Sequence, residues 1–139
     1  MSLLNEFNIQ LYSLRELTKE DFAGALKLVG EAGYSGVEFA GYGGLTAGEM
    51  RGLLEQNGLK SISSHVPLER LLIALEEELE FNKEIGTQAI IVPYYTMKTG
   101  QEVEILAKQL TSIAKTVRDA GFLFGYHNHA HEFEKLRRE

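Results

Sequence analysis

The segment EAGYSGVEFAG, residues 31–41, has three counterparts along this 139-residue chain. They are QNGLKSISSHVP (56–67), EIGTQAIIVPYY (84–95) and DAGFLFGYHNH (119–129). Each joins the end of a helical pattern to a strand-like run through a glycine: Gly33, Gly58, Gly86 or Gly121. Glycine is common just past a helix end because it enters the left-handed region without a Cβ clash. The repeat therefore predicts helices that alternate with strands.

Helical periodicity precedes each of these glycines. Thr18, with Asp21 three residues later, resembles a weak capping box before the first helix, and Thr46 with Glu49 forms a full one before the second. The apolar stripes are Phe22, Leu26 and Val29; Met50, Leu53 and Leu54; Leu68, Leu71, Leu72, Leu75 and Leu79; and Val103, Leu106, Leu110, Ile113 and Val117. The third helix also carries a set of glutamates, interpreted as its solvated outer face: Glu76, Glu77, Glu78, Glu80 and Glu84.

Five strand-like runs complete the pattern: IQLYS (9–13), VEFA (37–40), SISSHV (61–66), AIIVPYY (89–95) and FLFGYHNH (122–129). Strands that alternate with helices indicate βαβ units, a parallel sheet and right-handed crossovers. No linker or low-complexity stretch divides the chain. We expect an α/β protein with one domain over residues 1–139 and five strands alternating with four helices.

Composition narrows the classes of function. The formal net charge of −6 argues against nucleic acid or an anionic membrane as the main partner. The chain has no cysteine, which excludes disulfides, thiolate catalysis and cysteine-type zinc sites and fits a reducing compartment. The N-terminus does not resemble a signal peptide, and the longest apolar run, AIIV, is too short to span a bilayer. These features predict a soluble, cytoplasmic protein.

Polar residues collect where the predicted strands end. Parallel α/β folds place their sites at the carboxyl ends of the strands, which all open on one face. Glu38 lies in the second strand and His65 ends the third. The residues expected at the same rim from the other strands are Tyr12, Ser13, Arg15, Tyr94, Tyr95 and the stretch YHNHAHEF (126–133). All four histidines of the chain therefore gather on one face, which predicts a functional site there.

Each of these residues also has a structural interpretation. Glu38 stands between apolar neighbours, and a buried carboxylate needs a partner or a cation, although a solvated position is the alternative. His65 fits a hydrogen-bonded core histidine equally well. Tyr94 and Tyr95 are consistent with packing, and Arg15 with a surface ion pair.

The stretch YHNHAHEF concentrates the candidate chemistry. If the fifth strand continues through it, His127, His129 and His131 share one face, because strand side chains alternate. Imidazoles at alternate positions bind divalent ions, Glu132 adds an oxygen ligand, and histidine is also a general acid or base near neutral pH. The alternative is a polar loop with solvated imidazoles.

The segments IQLYSLRE, AGYSGVEFAG, SSHVP and above all GYHNHAHEFE resemble the sugar phosphate isomerase/epimerase family with the xylose-isomerase-like TIM barrel. The resemblance covers essentially the whole chain. It implies a (β/α)₈ barrel, a divalent metal (Mn, Co, Zn or Mg), and proton abstraction next to the carbonyl of a sugar or sugar phosphate. By this resemblance, Glu132 and His129 are metal ligands and His127 and His129 are catalytic. The predicted substrate contacts are Glu38, His65, Tyr94 and Asn128.

The chain departs from the family pattern in length. Such a barrel takes about 250 residues and eight strands, whereas the pattern here supplies five. We therefore expect an N-terminal portion of the barrel, a partial (β/α)₈ fold with its helices outside. Open strand edges predict association into homodimers or larger assemblies.

Two alternatives stay open at this point. One is structural: a complete, doubly wound five-stranded sheet. The other is functional: a non-catalytic product that binds metal or ligand, or only assembles. A missing half supplied by a second polypeptide is a further possibility.

Overall fold

The computed structural model of the chain describes residues 6–135, which form one parallel five-stranded sheet with helices between its strands. The strands are β1 (Asn8–Gln10), β2 (Gly36–Ala40), β3 (Lys60–His65), β4 (Ala89–Val92) and β5 (Leu123–Tyr126). The helices are α1 (Arg15–Glu20), α2 (Phe22–Glu31), α3 (Ala47–Gln56), α4 (Leu68–Glu84) and α5 (Gly100–Asp119). Short 3-10 turns span Leu11–Leu14 and His131–Phe133.

The strand order is β1-β2-β3-β4-β5, so each strand pairs with its neighbour in sequence. Right-handed crossovers that always step in one direction leave every helix on the same side of the sheet. A doubly wound sheet instead reverses its strand order at a switch point. The sequential order confirms the partial TIM-barrel prediction and removes the doubly wound alternative.

The core lies between this sheet and its helices, in two adjoining clusters. Val37 and Phe39 of β2 are fully buried against α2 and α3. Ile90 and Val92 of β4 are buried likewise, in a cluster with Val117 of α5. Because strand side chains alternate, the residues between these positions, such as Glu38, project to the other face of the sheet. That inner face carries the polar residues.

The strong sequence signals at the helix ends, the glycines and the Thr46–Glu49 capping box, are confirmed by the structure. The four glycines of the repeat have positive φ values between 65° and 95°. The Thr46–Glu49 capping box is present, and a second box that was not predicted, Thr99–Glu102, begins α5. The weak signal was wrong: Asp21, rather than Thr18, caps α2 by accepting a hydrogen bond from the Gly24 N–H at 2.9 Å.

Helix α4 corrects two further expectations. Its backbone leaves helical geometry at Ala74, so one apolar stripe does not run through it, and Leu72 is 48% exposed instead of buried. Glu78 does not belong to a solvated face, because it is 7% exposed and its Oε1 accepts from Arg70 Nε at 2.7 Å. Val103, in the first turn of α5, is also more exposed than predicted.

The strands are shorter than their apolar runs suggest. β1 gives way to a 3-10 turn at Leu11, β4 ends before Pro93, and β5 ends at Tyr126. The polar residues that follow β4 and β5 are therefore carried on loops at the strand ends. Within residues 6–135, none of the helices combines the length and apolar character needed to cross a membrane.

Candidate functional site

The four histidines meet at the carboxyl ends of β3 and β5, as predicted. The ring of His65 lies 5.2 Å from that of His127, centroid to centroid. His127 stacks on His129 at 4.6 Å, and His129 on His131 at 5.8 Å. The expectation that one strand face carries the last three was wrong, because β5 ends before them. The loop after β5 and the 3-10 turn that begins at His131 instead bring the three rings into stacking contact.

The loop after β4 closes one side of this row of rings. The ring of Tyr94 lies 5.3 Å from that of His129 and 4.8 Å from that of His131. The carbonyl of Tyr95 bonds His131 Nε2 at 2.8 Å, while the Tyr95 side chain packs against the core. The Tyr94 side chain thus contacts the histidine rings, whereas the Tyr95 side chain contributes to packing. Asn128 is exposed in the loop between the rings.

Three side chains at the end of the row form a candidate metal site. His129, His131 and Glu132 each bring one ligand atom within 4.8 Å of the others. Two imidazoles and one carboxylate are a donor set that suits zinc, manganese, iron or cobalt and leaves coordination positions open. His131 joins the group beside the two predicted ligands, His129 and Glu132. His127, one step along the row, does not belong to it.

The surroundings of this group fit a ligand role. Glu132 accepts from the Tyr126 hydroxyl and from the His129 backbone N–H, both at 2.6 Å. His131 Nε2 lies 2.8 Å from the Tyr95 carbonyl oxygen and 3.3 Å from Glu132 Oε1. Metal-binding histidines and carboxylates are commonly oriented by such outer hydrogen bonds. Burial acts to raise the pKa of Glu132, but the bonds from Tyr126 and His129 outweigh it and leave that pKa below its usual value.

A second polar cluster occupies the inner face of the sheet between β1, β2 and β3. Three side chains converge on the Glu38 carboxylate. Gln10 Nε2 donates to Oε1 at 2.5 Å, the Ser63 hydroxyl donates to Oε2, and His65 Nε2 lies 3.0 Å from Oε1. Glu38 is therefore paired, with its side chain 25% exposed. Gln10 and Ser63 are members that sequence reasoning missed.

An irregularity in the sheet produces this cluster. Val37 pairs with Ser61 but Glu38 pairs with Ser63, so β3 carries one extra residue, Ile62. Such a bulge shifts the alternation of side chains by one position. Ser63 consequently points to Glu38 on the inner face, whereas Ser64 bonds Asn82 of α4 on the outer face. Simple alternation along SISSHV would instead put Ser63 on the same face as Ser61, which bonds Thr87 on the outer face.

His65 is the most enclosed ring of the row, with a side chain 9% exposed. Its pKa lies below the usual value for histidine. Burial is the main cause, and the nearby rings of His127 and His129 act in the same direction, while Glu38 opposes them. The neutral imidazole is the form that this environment favours.

His65 also belongs to the wall of a cavity of about 600 Å³ above the ends of β1 to β4. The cavity offers the space that a bound small molecule needs. Arg15 lies away from it at the surface, over the ring of Tyr12 and beside Glu16, as its structural interpretation held. The lining residues are Tyr12, Ala40, Gly41, Tyr42, His65, Val66, Pro67, Arg70, Glu78 and Pro93.

Solved structures share this fold, although no family sequence profile and no curated protein matches the chain in sequence. A sugar phosphate isomerase/epimerase from Parabacteroides distasonis superposes with a TM-score of 0.80 at 19% identity over 98% of this chain. A xylose isomerase domain containing protein from Salmonella typhimurium gives 0.69 at 18% identity over 91%. The IolI protein, solved with a bound zinc atom, gives 0.66 at 10% identity over 88%.

The chain spans about half the length of these proteins: 56%, 50% and 51% of them, respectively. The same fold also occurs in an AP endonuclease of family 2 from Brucella melitensis, at 16% identity and a TM-score of 0.65 over 88% of this chain and 55% of that one. Likeness at these identities shows architecture and not a shared reaction. With its sequential parallel sheet and strand-end histidines, this chain has the fold of the sugar phosphate isomerase/epimerase and xylose isomerase-like TIM-barrel proteins.

Proposed function

We propose that this chain carries the site of a divalent-metal-dependent isomerase or epimerase, which removes a proton next to the carbonyl of a sugar or sugar phosphate. The observation that supports it is the candidate metal group His129, His131 and Glu132, placed at the strand ends in one row with His127 and His65. Ligands and proton acceptors side by side are what this reaction class requires.

The residues divide into binding and proton-transfer groups. His129, His131 and Glu132 would hold Mn, Co, Zn or Mg. A divalent ion bound there would polarise the carbonyl and hydroxyl oxygens of the substrate and stabilise negative charge on them. Of the two roles predicted for His129, metal ligand and catalytic residue, this placement favours the first.

The remaining predicted residues surround the position a sugar would take. His127, stacked on His129, is the catalytic histidine expected from the sequence. Glu38, His65, Tyr94 and Asn128 are proposed to contact substrate hydroxyls. Hydrogen bonds to several hydroxyls orient a sugar so that the correct C–H bond faces the base, which is a large part of such catalysis.

Metal binding tests the first half of the proposal. Calorimetric titration with Mn, Co, Zn and Mg should show one site, weakened at least tenfold in Glu132→Ala, His129→Ala and His131→Ala. Glu134→Ala is the matched control, because this neighbouring carboxylate lies outside the group and should leave affinity unchanged. Equal affinity in all four variants would remove the assignment.

Isotope exchange tests the second half. A panel of ketoses and their phosphates, incubated with the metal-loaded protein in D₂O, should gain deuterium at the carbon next to the carbonyl. NMR detects this exchange at the substrate carbon itself, whichever product forms. Chelation should stop the exchange and the ion should restore it. Exchange that persists in the presence of chelator would contradict metal dependence.

The alternative is a non-catalytic chain that binds metal or ligand. The fold likeness covers 56% and 50% of two of the solved structures, and at 19% and 18% identity it carries no reaction over to this chain. Tight metal binding, with no deuterium exchange in any member of the panel, is the result that would select it.

A further inference from the structure

We propose that His65, and not a histidine of the 127–131 segment, takes the proton from the carbon next to the carbonyl, with Glu38 as its carboxylate partner. Gln10 and Ser63 are positioning residues that hold Glu38. This inference rests on the proposed function and names the residue that performs its central step.

The carboxylate of Glu38 is the charged group beside the His65 ring. Nε2 of His65 lies 3.0 Å from Glu38 Oε1, and Gln10 Nε2, which donates to the same oxygen, lies 3.5 Å from that nitrogen. Because a carboxylate oxygen can only accept, we assign the proton of the neutral ring to Nε2 and the lone pair to Nδ1. A carboxylate on one imidazole nitrogen sets the tautomer and stabilises the cation that forms when the other nitrogen gains a proton.

Glu38 is itself held from two sides. Gln10, across the β1–β2 pair, donates to Oε1 at 2.5 Å, and Ser63, across the β2–β3 pair, donates to Oε2. The bulge in β3 is what supplies the second donor. A carboxylate fixed at both oxygens by groups on the two flanking strands is held in place beside His65. This is the rigid support that a proton-transfer pair needs.

His65 links this cluster to the space for substrate. It contributes to the wall of the cavity of about 600 Å³ while Nε2 is bound within the cluster. Nδ1 is thus the ring nitrogen that a molecule in the cavity can meet. The His127 ring, 5.2 Å away, connects His65 to the metal group through its stack on His129. The proposed base, His65, and the candidate metal group therefore lie along one row of rings.

The other histidines are less suited to the step. His129 and His131 belong to the candidate metal group, and His131 is further bound to the Tyr95 carbonyl. Within residues 6–135, the interactions of the His127 ring are contacts with other histidine rings, and no carboxylate bonds it. His131 also lies near a carboxylate, Glu132, at 3.3 Å, but His65 has the more enclosed side chain and is the histidine in the wall of the cavity of about 600 Å³.

The proton transfer balances without a further reactant. Nδ1 of neutral His65 accepts the proton as the C–H bond breaks, and the electron pair moves into the enediolate. The imidazolium keeps its Nε2–H bond to Glu38. Return of the proton from Nδ1 to carbon, at the same or the adjacent position, restores the neutral ring.

Deuterium exchange into the ketose panel measures the step directly. We expect His65→Gln to lower the exchange rate 100-fold or more, and Glu38→Gln by about 100-fold, the range found for general acid–base groups. Ser63→Ala and Gln10→Ala should lower it about tenfold with KM little changed. His127→Gln is the competing variant. A larger loss in His127→Gln than in His65→Gln would overturn the proposal.

Two readouts separate chemistry from simple loss of structure. The His65→Gly protein should regain exchange when imidazole is added, because a free base can occupy the space left in the cavity wall. Zinc or manganese affinity should stay within threefold of wild type in His65→Gln, since the metal group is elsewhere. Failure of imidazole to rescue a variant that still binds metal would count against proton transfer by His65.

A spectroscopic test needs no substrate. Nitrogen-15 NMR of the imidazole rings should show neutral His65 with its proton on Nε2, and Glu38→Ala should convert it to a tautomer mixture. A proton found on Nδ1 would refute the proposed pair while leaving the proposed function intact. Absence of exchange in the wild-type protein, with the expected tautomer, would instead refute the proposed function.

Discussion

Strand β3 carries two hydrogen-bonded polar clusters, one on each face, and they differ in the side chains that they contain. On the outer face, Ser64 belongs to a network centred on Asn82, a fully buried residue of α4. On the inner face, Ser63 leads to Glu38 and His65 beside a cavity. Both clusters reach the wall of the cavity, the outer one through Tyr42 and Glu78 and the inner one through His65. His65 is the imidazole among these lining residues.

In the outer network, both polar atoms of the Asn82 side chain are bonded within the protein. Asn82 Oδ1 accepts from Ser64 and Thr87, and Nδ2 donates to the Tyr42 hydroxyl and the Glu78 carbonyl. Because the single proton of Thr87 goes to Asn82, the Ser61 hydroxyl is the donor in its bond with Thr87. Buried polar groups satisfied in this way support packing. Hydrogen bonding alone therefore does not mark a functional site.

The largest expected difference between the clusters is in stability. Asn82→Ala removes four buried hydrogen bonds, so we expect the free energy of unfolding to fall by about 3–5 kcal/mol. Gln10→Ala, the matched amide of the inner cluster, should lower it by about 1 kcal/mol or less. Urea denaturation followed by circular dichroism measures both. Similar losses in the two variants would break the distinction.

Alkaline titration sharpens the same contrast. Burial, with a contribution from Glu78, raises the pKa of Tyr42 to about 12 from 10.0. The folded protein thus holds this proton more tightly than the unfolded chain. The stabilisation is complete below pH 10 and is lost as the pH rises toward 12, by about 2–3 kcal/mol. The difference in unfolding free energy between wild type and Tyr42→Phe should change by this amount over that range, and a constant difference would contradict it.

The two adjacent serines give the most local comparison. Ser64→Ala removes one of the two donors to the buried Asn82 Oδ1 and should destabilise the protein by about 1–3 kcal/mol. Ser63→Ala, one residue earlier, should cost less than about 1 kcal/mol, because Glu38 keeps two other partners and is partly exposed. Thermal and urea unfolding of the pair measure the difference. The opposite ranking would show that the inner cluster is the structural one.

The Tyr126 hydroxyl tests whether the second site is also built for binding. Tyr126→Phe removes one bond to Glu132, and the expected stability change is below about 1 kcal/mol. Metal affinity should fall about tenfold or more, the usual consequence of losing an outer hydrogen bond to a ligand. Calorimetric titration beside the urea curve separates these effects. Unchanged affinity with reduced stability would make Glu132 a structural residue.

The apolar part of the inner face tests the expected self-association. Leu123 of β5 is 69% exposed and lies on the same face as Ser63, since both are register partners of Ala89. In residues 6–135, β1 and β5 each pair with one strand only. The purified 139-residue chain should therefore dimerise at micromolar concentration, and Leu123→Lys should shift it toward monomer in sedimentation equilibrium. A monomeric wild-type chain would contradict the homodimer prediction.

Much of the fold follows from local sequence signals. Gly33 and its counterparts end helices wherever they occur, and the Thr46–Glu49 pair begins one, because these effects act within a single turn of backbone. The clustering of His65 with the 127–131 histidines was also predictable, since parallel strands deliver their carboxyl ends to one rim. Errors arose where the local signal was weak, as at Thr18, or where a break intervened, as at Ala74 in α4.

The composition of the candidate site was predictable only in part. The family resemblance predicted His129 and Glu132 as metal ligands, and the residue types offered His127 and His131 as well. The 3-10 turn after β5 is what places the His131 ring, and not that of His127, with His129 and Glu132. Glu38 stood out as a carboxylate among apolar neighbours, but no residue near it in sequence indicates its hydrogen-bond partners. Gln10 is 28 residues away and Ser63 is 25 residues away.

The sequence by itself determined the alternation of strands and helices, the rim at which they place histidines and the residue types available for metal and proton chemistry. These properties depend on periodicity and on backbone preferences within a few residues. The tertiary structure decided which polar residues meet. One extra residue in β3 directs Ser63 inward and Ser64 outward, and the pairing of β1, β2 and β3 closes Gln10, Ser63 and His65 around Glu38. Such partnerships depend on strand register, which is fixed by the packing of the whole sheet against its helices.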